Sequence, residues 1–484
     1  MRDRLQDALR AGSAEYVDIR IEDEVSSNIV FRGQELDNIG SSKTLGGIVR
    51  ALVKGGWGYA TFNDLNDLDT RVRQACEAAR LVGTGESHFA PVEPVVDTHE
   101  ATLVKDFRQI PLAHKKAVME EYNRLILGHD PRIQTTLVAY KDRFKSIWFA
   151  SSEGTYIADQ QPDTYVYIVV TARDGDLVQV AMERVNGSTG FQVVEDYHEK
   201  VEAAAQRAVD LLSAPQVKGG TYTVIADPVL TGVFVHEAFG HLSESDFVYE
   251  NPQMRELMQL GKRFGADMLN VIDDGALPGQ EGTHKYDFEG VPTRQNYLIR
   301  DGILVGRLHS RETAAKMGEE PTGNARSINY QHPPIVRMTN TYIDKGESTF
   351  EELVKDVELG VYALDAFGGQ TAMEMFTFSA GYGYMIRDGQ VAEMVRDVVL
   401  TGNVFETMMH IDGLSDRVEW APGSGPGGCG KGRQSSLQVG LGGPEAGRRH
   451  HRGRPQRHAR PASQHQRRCQ PRLPCVPGWW LWRR

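Results

Sequence analysis

The longest apolar runs in this sequence are strand-sized, as in TYVYIVV from Thr164 to Val170. None approaches the roughly 20 residues that a membrane-spanning helix requires. A chain of 484 residues built from such short runs cannot form one core, and two to four domains are expected. The pattern predicts a multidomain α+β fold. Small N-terminal and middle α+β domains would be followed by a β-rich C-terminal domain carrying the most reactive-looking helix.

The first segment, residues 1–90, opens with a helical stretch from Arg2 to Ala11. Alternating runs at 16–25, 26–33 and 46–62 predict strands, with a turn at Gly55-Gly56. Asp64 is a candidate cap for a helix whose apolar residues run through Val72, Ala75, Ala79 and Leu81. FAPVEPVVDT, Phe89 to Thr98, reads as a linker. The second segment, 91–217, predicts a helix over Leu112–Leu127, strands near 133–140, 146–151 and 165–172, and a helix from Asp196 to Leu212. The third, 218–444, begins with strand GTYTVIA and then Asp227-Pro228, a good N-cap followed by a good first helical residue. Glycine-punctuated β-rich sequence follows.

Charge and cysteine usage narrow the class. Residues 445–484 hold 11 Arg against one Glu, whereas the rest carries 43 Lys+Arg against 64 Asp+Glu, a balance of −21. So acidic a body repels nucleic acid. The four cysteines, Cys76, Cys429, Cys469 and Cys475, are too scattered for a disulfide framework. The opening MRDRLQDALRAGSAEY lacks an apolar signal core. A cytoplasmic protein without membrane or nucleic-acid partners is expected.

Chemistry concentrates in VHEAFGHLSE, Val235 to Glu244. His236-Glu237 followed by His241 resembles a metal-hydrolase helix, but the histidines are five apart. On a regular helix five residues overshoot a full turn by about 140°, which points the rings apart. A π-bulge would restore a common face, and Gly240 is the residue most tolerant of a widened or broken turn. On spacing alone, two ordinary polar histidines at a helix end fit equally well. A third donor would favour a metal, since catalytic zinc takes three protein ligands and leaves one position open. Cys429, in the glycine-rich GSGPGGCGKGRQ, is the candidate, although a lone cysteine also serves as a small buried hydrophobe. Cys76, on an apolar helical face, fits the buried role better. Gly425, Gly430 and Lys431 match part of a phosphate-binding loop, but Gly432 stands where a Ser or Thr is needed.

VHEAFGHLSESD, PIVRMTNTYIDKGE and GGCGKGRQ, in that order, resemble the TldD branch of the TldD/PmbA metallopeptidase family. SKTLGGIVRALVKGGWGYATFNDL is similar to that family's opening domain, and the likeness spans residues 10 to 444. The resemblance implies one zinc held by His236, His241 and Cys429, with Glu237 as catalytic acid/base. It also implies pairing with a PmbA-type subunit, a homodimer being the alternative. Glu244 and Asp246 are candidate acceptors for an imidazole N–H, or else solvated acids beyond the helix. The expected function is zinc-dependent hydrolysis of unfolded or short peptides. The alternatives are a non-enzymatic metal-containing regulatory protein and a metal-dependent amidase acting on a small molecule. After Gly440–Pro444 the sequence departs from the family into an Arg-, His- and Pro-rich tail that cannot build a core. A frame-shifted reading of the gene explains the switch better than a basic binding tail.

Overall fold

The computed structural model describes residues 1–372 and 374–420, and beyond them the backbone of four short strand segments, 429–431, 434–437, 440–443 and 446–447. The tail expectations, and everything about the Cys429 side chain, lie outside the described residues. The fold is multidomain α+β with a strand-rich C-terminal region, as expected.

The first half is organised by one seven-stranded sheet. After α1 (Arg2–Leu9) come β1 (Tyr16–Arg32), β2 (Glu35–Val53) and β3 (Gly56–Phe62), then α2 (Leu68–Val82) and β4 (Val96–His99). Next are α3 (Leu112–His129), β5 (Ile133–Ser151), β6 (Tyr156–Asp174), β7 (Leu177–Gly187) and α4 (His198–Ser213). The turn between β2 and β3 falls on Lys54 and Gly55, whose φ values of +47° and +76° suit a tight hairpin. β1 pairs antiparallel with β5 along most of its length, so strands from both sides of the linker share the sheet.

Three expectations need correction. Stretches 16–25 and 26–33 are one continuous strand, as are 133–140 and 146–151. Polar residues inside them are satisfied without a turn: Ser27 Oγ donates to Asp142 at 2.5 Å, and Lys115 Nζ donates to Ser27 Oγ at 2.9 Å. Asp64 does not cap α2, which begins at Leu68; its carboxylate instead accepts from Asn66 N at 2.7 Å. Leu81 is 86% exposed, because two residues past Ala79 lies on the opposite side of a helix. Cys76, by contrast, is buried as expected.

One core lies under α1 and α2, with Ile19, Val49, Val72 and Ala75 fully buried. Another lies under α3 and α4, around Tyr122, Ile126, Val138 and Ala205. A buried ion pair and a buried hydrogen bond fasten the sheet to the C-terminal region. Arg50 Nη2 pairs with Asp18 at 2.5 Å and its Nη1 with Glu289 at 3.1 Å, while Arg20 Nη2 donates to Ser327 Oγ at 2.5 Å. Removing one member of such a pair leaves a buried charge uncompensated.

The C-terminal region places β8 (Thr223–Ala226) inside a six-stranded sheet, parallel to Leu359–Leu364. At its end Asp227 accepts from Leu230 N at 2.8 Å, capping α5 (Pro228–Val235) as its sequence predicts. α5 packs against strand Asn340–Ile343 and the backbone of 440–443, which pair in parallel. No helix among the described residues is long and apolar enough to cross a membrane.

Candidate metal centre

α5 passes directly into a π-helical turn, His236–Gly240, and then a 3-10 turn, His241–Ser243. The extra residue does what the five-residue spacing required. The two imidazole rings lie 4.9 Å apart at 79°, on the same side of the turn. The opposite side carries Val235, Ala238, Phe239 and Leu242 into the main C-terminal core. Burial of those four side chains holds the irregular turn in place.

Gly240 permits this geometry for a reason that differs from the expected one. Its backbone is ordinary right-handed helix, φ −56° and ψ −49°, so no special flexibility is used. A Cβ there would lie 2.0 Å from Met338 Sδ. Gly240 is therefore a packing glycine, bringing the turn against Met338 in the connection between strands Ile335–Val336 and Asn340–Ile343.

His236, Glu237 and His241 offer ligand atoms that all lie within 4.8 Å of one another. Both imidazoles turn Nε2 toward the Glu237 carboxylate, at 3.9 Å from Oε1 for His236 and 3.9 Å from Oε2 for His241. His236 is buried, while Glu237 and His241 are about a quarter exposed. The trio thus has a sheltered side and an open side.

The outward nitrogens are treated differently. His241 Nδ1 is 3.2 Å from Glu244 Oε2, which favours the tautomer that leaves Nε2 free to coordinate. His236 Nδ1 is buried with no hydrogen-bond partner among the described residues. Burial, then the neighbouring His241, then Arg337, hold the His236 pKa well below the ordinary histidine range. Neutral imidazole is the form that binds metal. Two neutral-capable imidazoles with convergent nitrogens and an adjacent carboxylate fit a zinc-type ion.

Glu244 is 1% exposed, as a side chain aimed at a histidine should be. Asp246 is half-buried on the next helix, Ser245–Glu250, and accepts from Phe247 N at 2.9 Å. Arg337, in the run PIVRMTNTYIDKGE, is a residue of the site that sequence spacing does not reveal. Arg337 is completely buried, with Nη1 3.6 Å from Glu244 Oε1. A lone charge inside the apolar-flanked IVRM was the available signal.

A separate cavity of about 760 Å³ lies between β6 and the loop around 276–285, lined by Arg143, Asp159, His284 and Trp420 among others. None of the histidine-cluster residues lines it. Convergent ligand atoms, rather than cavity size, mark the histidine cluster as the candidate metal centre.

Three family descriptions match the chain in order. They are PmbA/TldA metallopeptidase domain 1 over 17–79, the central domain over 105–212 and the C-terminal domain over 219–444. A metalloprotease from Synechocystis sp. is 48% identical over 432 residues, covering 89% of this chain and 93% of that protein. A zinc metalloprotease TldD homolog from Saccharolobus solfataricus is 29% identical, covering 89% and 94%. Among solved structures, TldE from Thermococcus kodakarensis superposes with a TM-score of 0.71 at 15% identity, covering 92% of this chain and 99% of that one. A Thermotoga maritima structure gives 0.73 at 20% identity, covering 92% and 98%. At these identities the structures speak for the fold alone.

Proposed function

The chain belongs to the TldD/PmbA metallopeptidase family, and on that premise we propose that it is a TldD-type, zinc-dependent peptidase of the cytoplasm. Its substrates are unfolded or short peptides. The observation that carries this reading is the convergence of His236 and His241 Nε2 on the Glu237 carboxylate across the π turn. His236 and His241 would hold the zinc together with Cys429. Support for Cys429 comes from the backbone. Strand Cys429–Lys431 pairs with Gln434–Leu437, and residues 440–443 then run beside Asn340–Ile343. That strand begins two residues after Met338, the neighbour of Gly240.

Bound there, zinc would supply a Lewis acid for the scissile carbonyl and lower the pKa of a bound water. Glu237 takes a proton from the attacking water on its carboxylate. It then delivers that proton to the leaving amine nitrogen as the C–N bond breaks. Burial of His236 keeps it neutral for coordination, and Glu244 fixes the ring of His241 through Nδ1.

An extended substrate is supported by the strand beside the π turn. Gly368–Ala372 pairs on one side with Met375–Ser379 and is the edge of its three-stranded sheet among the described residues. Residues 367–370 are exposed. An edge strand presents unpaired backbone groups that suit a peptide better than a small amide. A PmbA-type subunit, or a second copy, completes the assembly in this reading. The decisive variant is Glu237→Gln. It should bind zinc as the wild type does and lose peptide cleavage; cleavage at the wild-type rate would sink the proposal.

A further inference from the structure

Arg337 is a fully buried cation whose backbone N–H and carbonyl are both hydrogen-bonded to Asn324. Its N–H donates to Asn324 O at 2.8 Å, and its carbonyl accepts from Asn324 Nδ2 at 2.9 Å. Asn324 Nδ2 also donates to Asp273 Oδ2 at 2.8 Å. One residue on, Met338 O accepts from Arg326 Nη1 at 2.7 Å, and the Met338 side chain meets Gly240 of the π turn. The guanidinium therefore projects from a backbone that is locked on the same run that braces the metal helix.

From there a short relay leads to the candidate ligand. Arg337 Nη1 is 3.6 Å from Glu244 Oε1, and Glu244 Oε2 is 3.2 Å from His241 Nδ1. Glu244 and Arg337 are both withdrawn from water. Arg337 faces one oxygen of the Glu244 carboxylate and so turns the other toward His241 Nδ1. Held from one side, the carboxylate accepts the His241 Nδ1–H in one orientation, and His241 Nε2 faces the Glu237 carboxylate.

We propose that Arg337 is a positioning residue of the metal centre, acting on His241 through Glu244. The inference rests on the zinc-site reading above, but it concerns metal affinity and not cleavage. Outer partners of ligating histidines typically contribute 10- to 100-fold in affinity.

The test is a double-mutant cycle in zinc affinity, read by competition with a chromophoric chelator. Arg337→Met should weaken zinc binding about 10- to 100-fold. Glu244→Gln keeps an acceptor oxygen for Nδ1 but removes the charge that Arg337 faces. In that background Arg337→Met should cause little further loss. Equal losses in both backgrounds, or wild-type affinity in Arg337→Met, would overturn the proposal. Should Arg337→Met fail to fold, the same cycle is run with Arg337→Lys. Lysine keeps the charge without the reach, and thermal midpoints of the zinc-free proteins track folding. Arg337→Lys should again lose affinity only where Glu244 is present, and additive losses would overturn the relay. Wild-type protein that binds zinc yet cleaves no peptide defeats the peptidase reading alone, whereas an additive cycle in zinc-binding protein defeats the relay alone.

Discussion

Gly240→Ala adds a single methyl group at the point where the π turn meets its neighbour. The new Cβ would fall 2.0 Å from Met338 Sδ, 3.3 Å from its Cε and 3.4 Å from its Cγ. Met338 is fully buried and cannot swing into solvent. Either the methionine leaves its rotamer or the turn moves away. Overpacking of this kind destabilises by about 1–3 kcal/mol. Alanine recovers about 0.5–1 kcal/mol of backbone entropy relative to glycine, so a net loss of about 0–2.5 kcal/mol is expected, toward the upper end for so close a contact. Movement of the turn also separates the two imidazoles, so zinc affinity should fall with stability. Urea unfolding of the zinc-free protein and chelator competition measure the two effects. Met338→Ala alone should cost about 2–5 kcal/mol by leaving a cavity. Combined with Gly240→Ala it should cost less than the sum, by about 0.5–3 kcal/mol, since each change relieves the other. Gly240→Ala with unchanged stability and unchanged zinc affinity would refute the assignment of Gly240 as a packing glycine.

Other perturbations address separate links. Glu237→Gln should lower peptide cleavage about 10²- to 10⁴-fold with zinc content unchanged; parallel metal analysis and peptide assays measure both. Asp227→Ala removes the cap of α5 and should cost about 0.5–2 kcal/mol in denaturant unfolding. Cys429→Ser should weaken zinc binding in the same chelator competition, because hydroxyl is a poorer zinc donor than thiolate. The depressed pKa of His236 fixes a sign for pH dependence. Above about pH 6.5 the group is neutral in both folded and unfolded chains and contributes no slope. As pH falls below that value the unfolded chain takes up a proton that the folded site resists, so zinc-free protein loses stability. His236→Gln should show a shallower acid-side decline than the wild type, by up to about 1.4 kcal/mol per pH unit; equal slopes would contradict the burial argument.

The parts of the molecule legible in sequence were those governed by near neighbours along the chain. Asp227-Pro228 announced a capped helix, and the one-residue excess between His236 and His241 announced a distorted turn. Both are set by local backbone chemistry and appear as expected. Strand lengths were not legible, because Ser26, Ser27 and the charged run 141–145 look like a break in an apolar pattern. Their polar groups are satisfied across the sheet and from α3, by partners such as Asp142 and Lys115 that are distant in sequence. Pairing of β1 with β5 was invisible for the same reason, since register between remote strands depends on tertiary packing. At the site, the position of Gly240 was legible but its purpose was not. Nothing in the local spacing reveals that Met338 will occupy the space a side chain would need. Arg337 stood out only as a charge among apolar residues, and its meaning required Glu244 to be placed beside it.

In this reading the π turn makes His236 and His241 joint ligands of one metal ion. X-ray absorption at the zinc edge of the reconstituted protein tests this most directly. One zinc per chain is expected, with two imidazole nitrogens at about 2.0–2.1 Å and one sulfur at about 2.3 Å. The imidazole signal should be halved in His241→Ala. A first shell without imidazole, or a spectrum unchanged by that substitution, would contradict it.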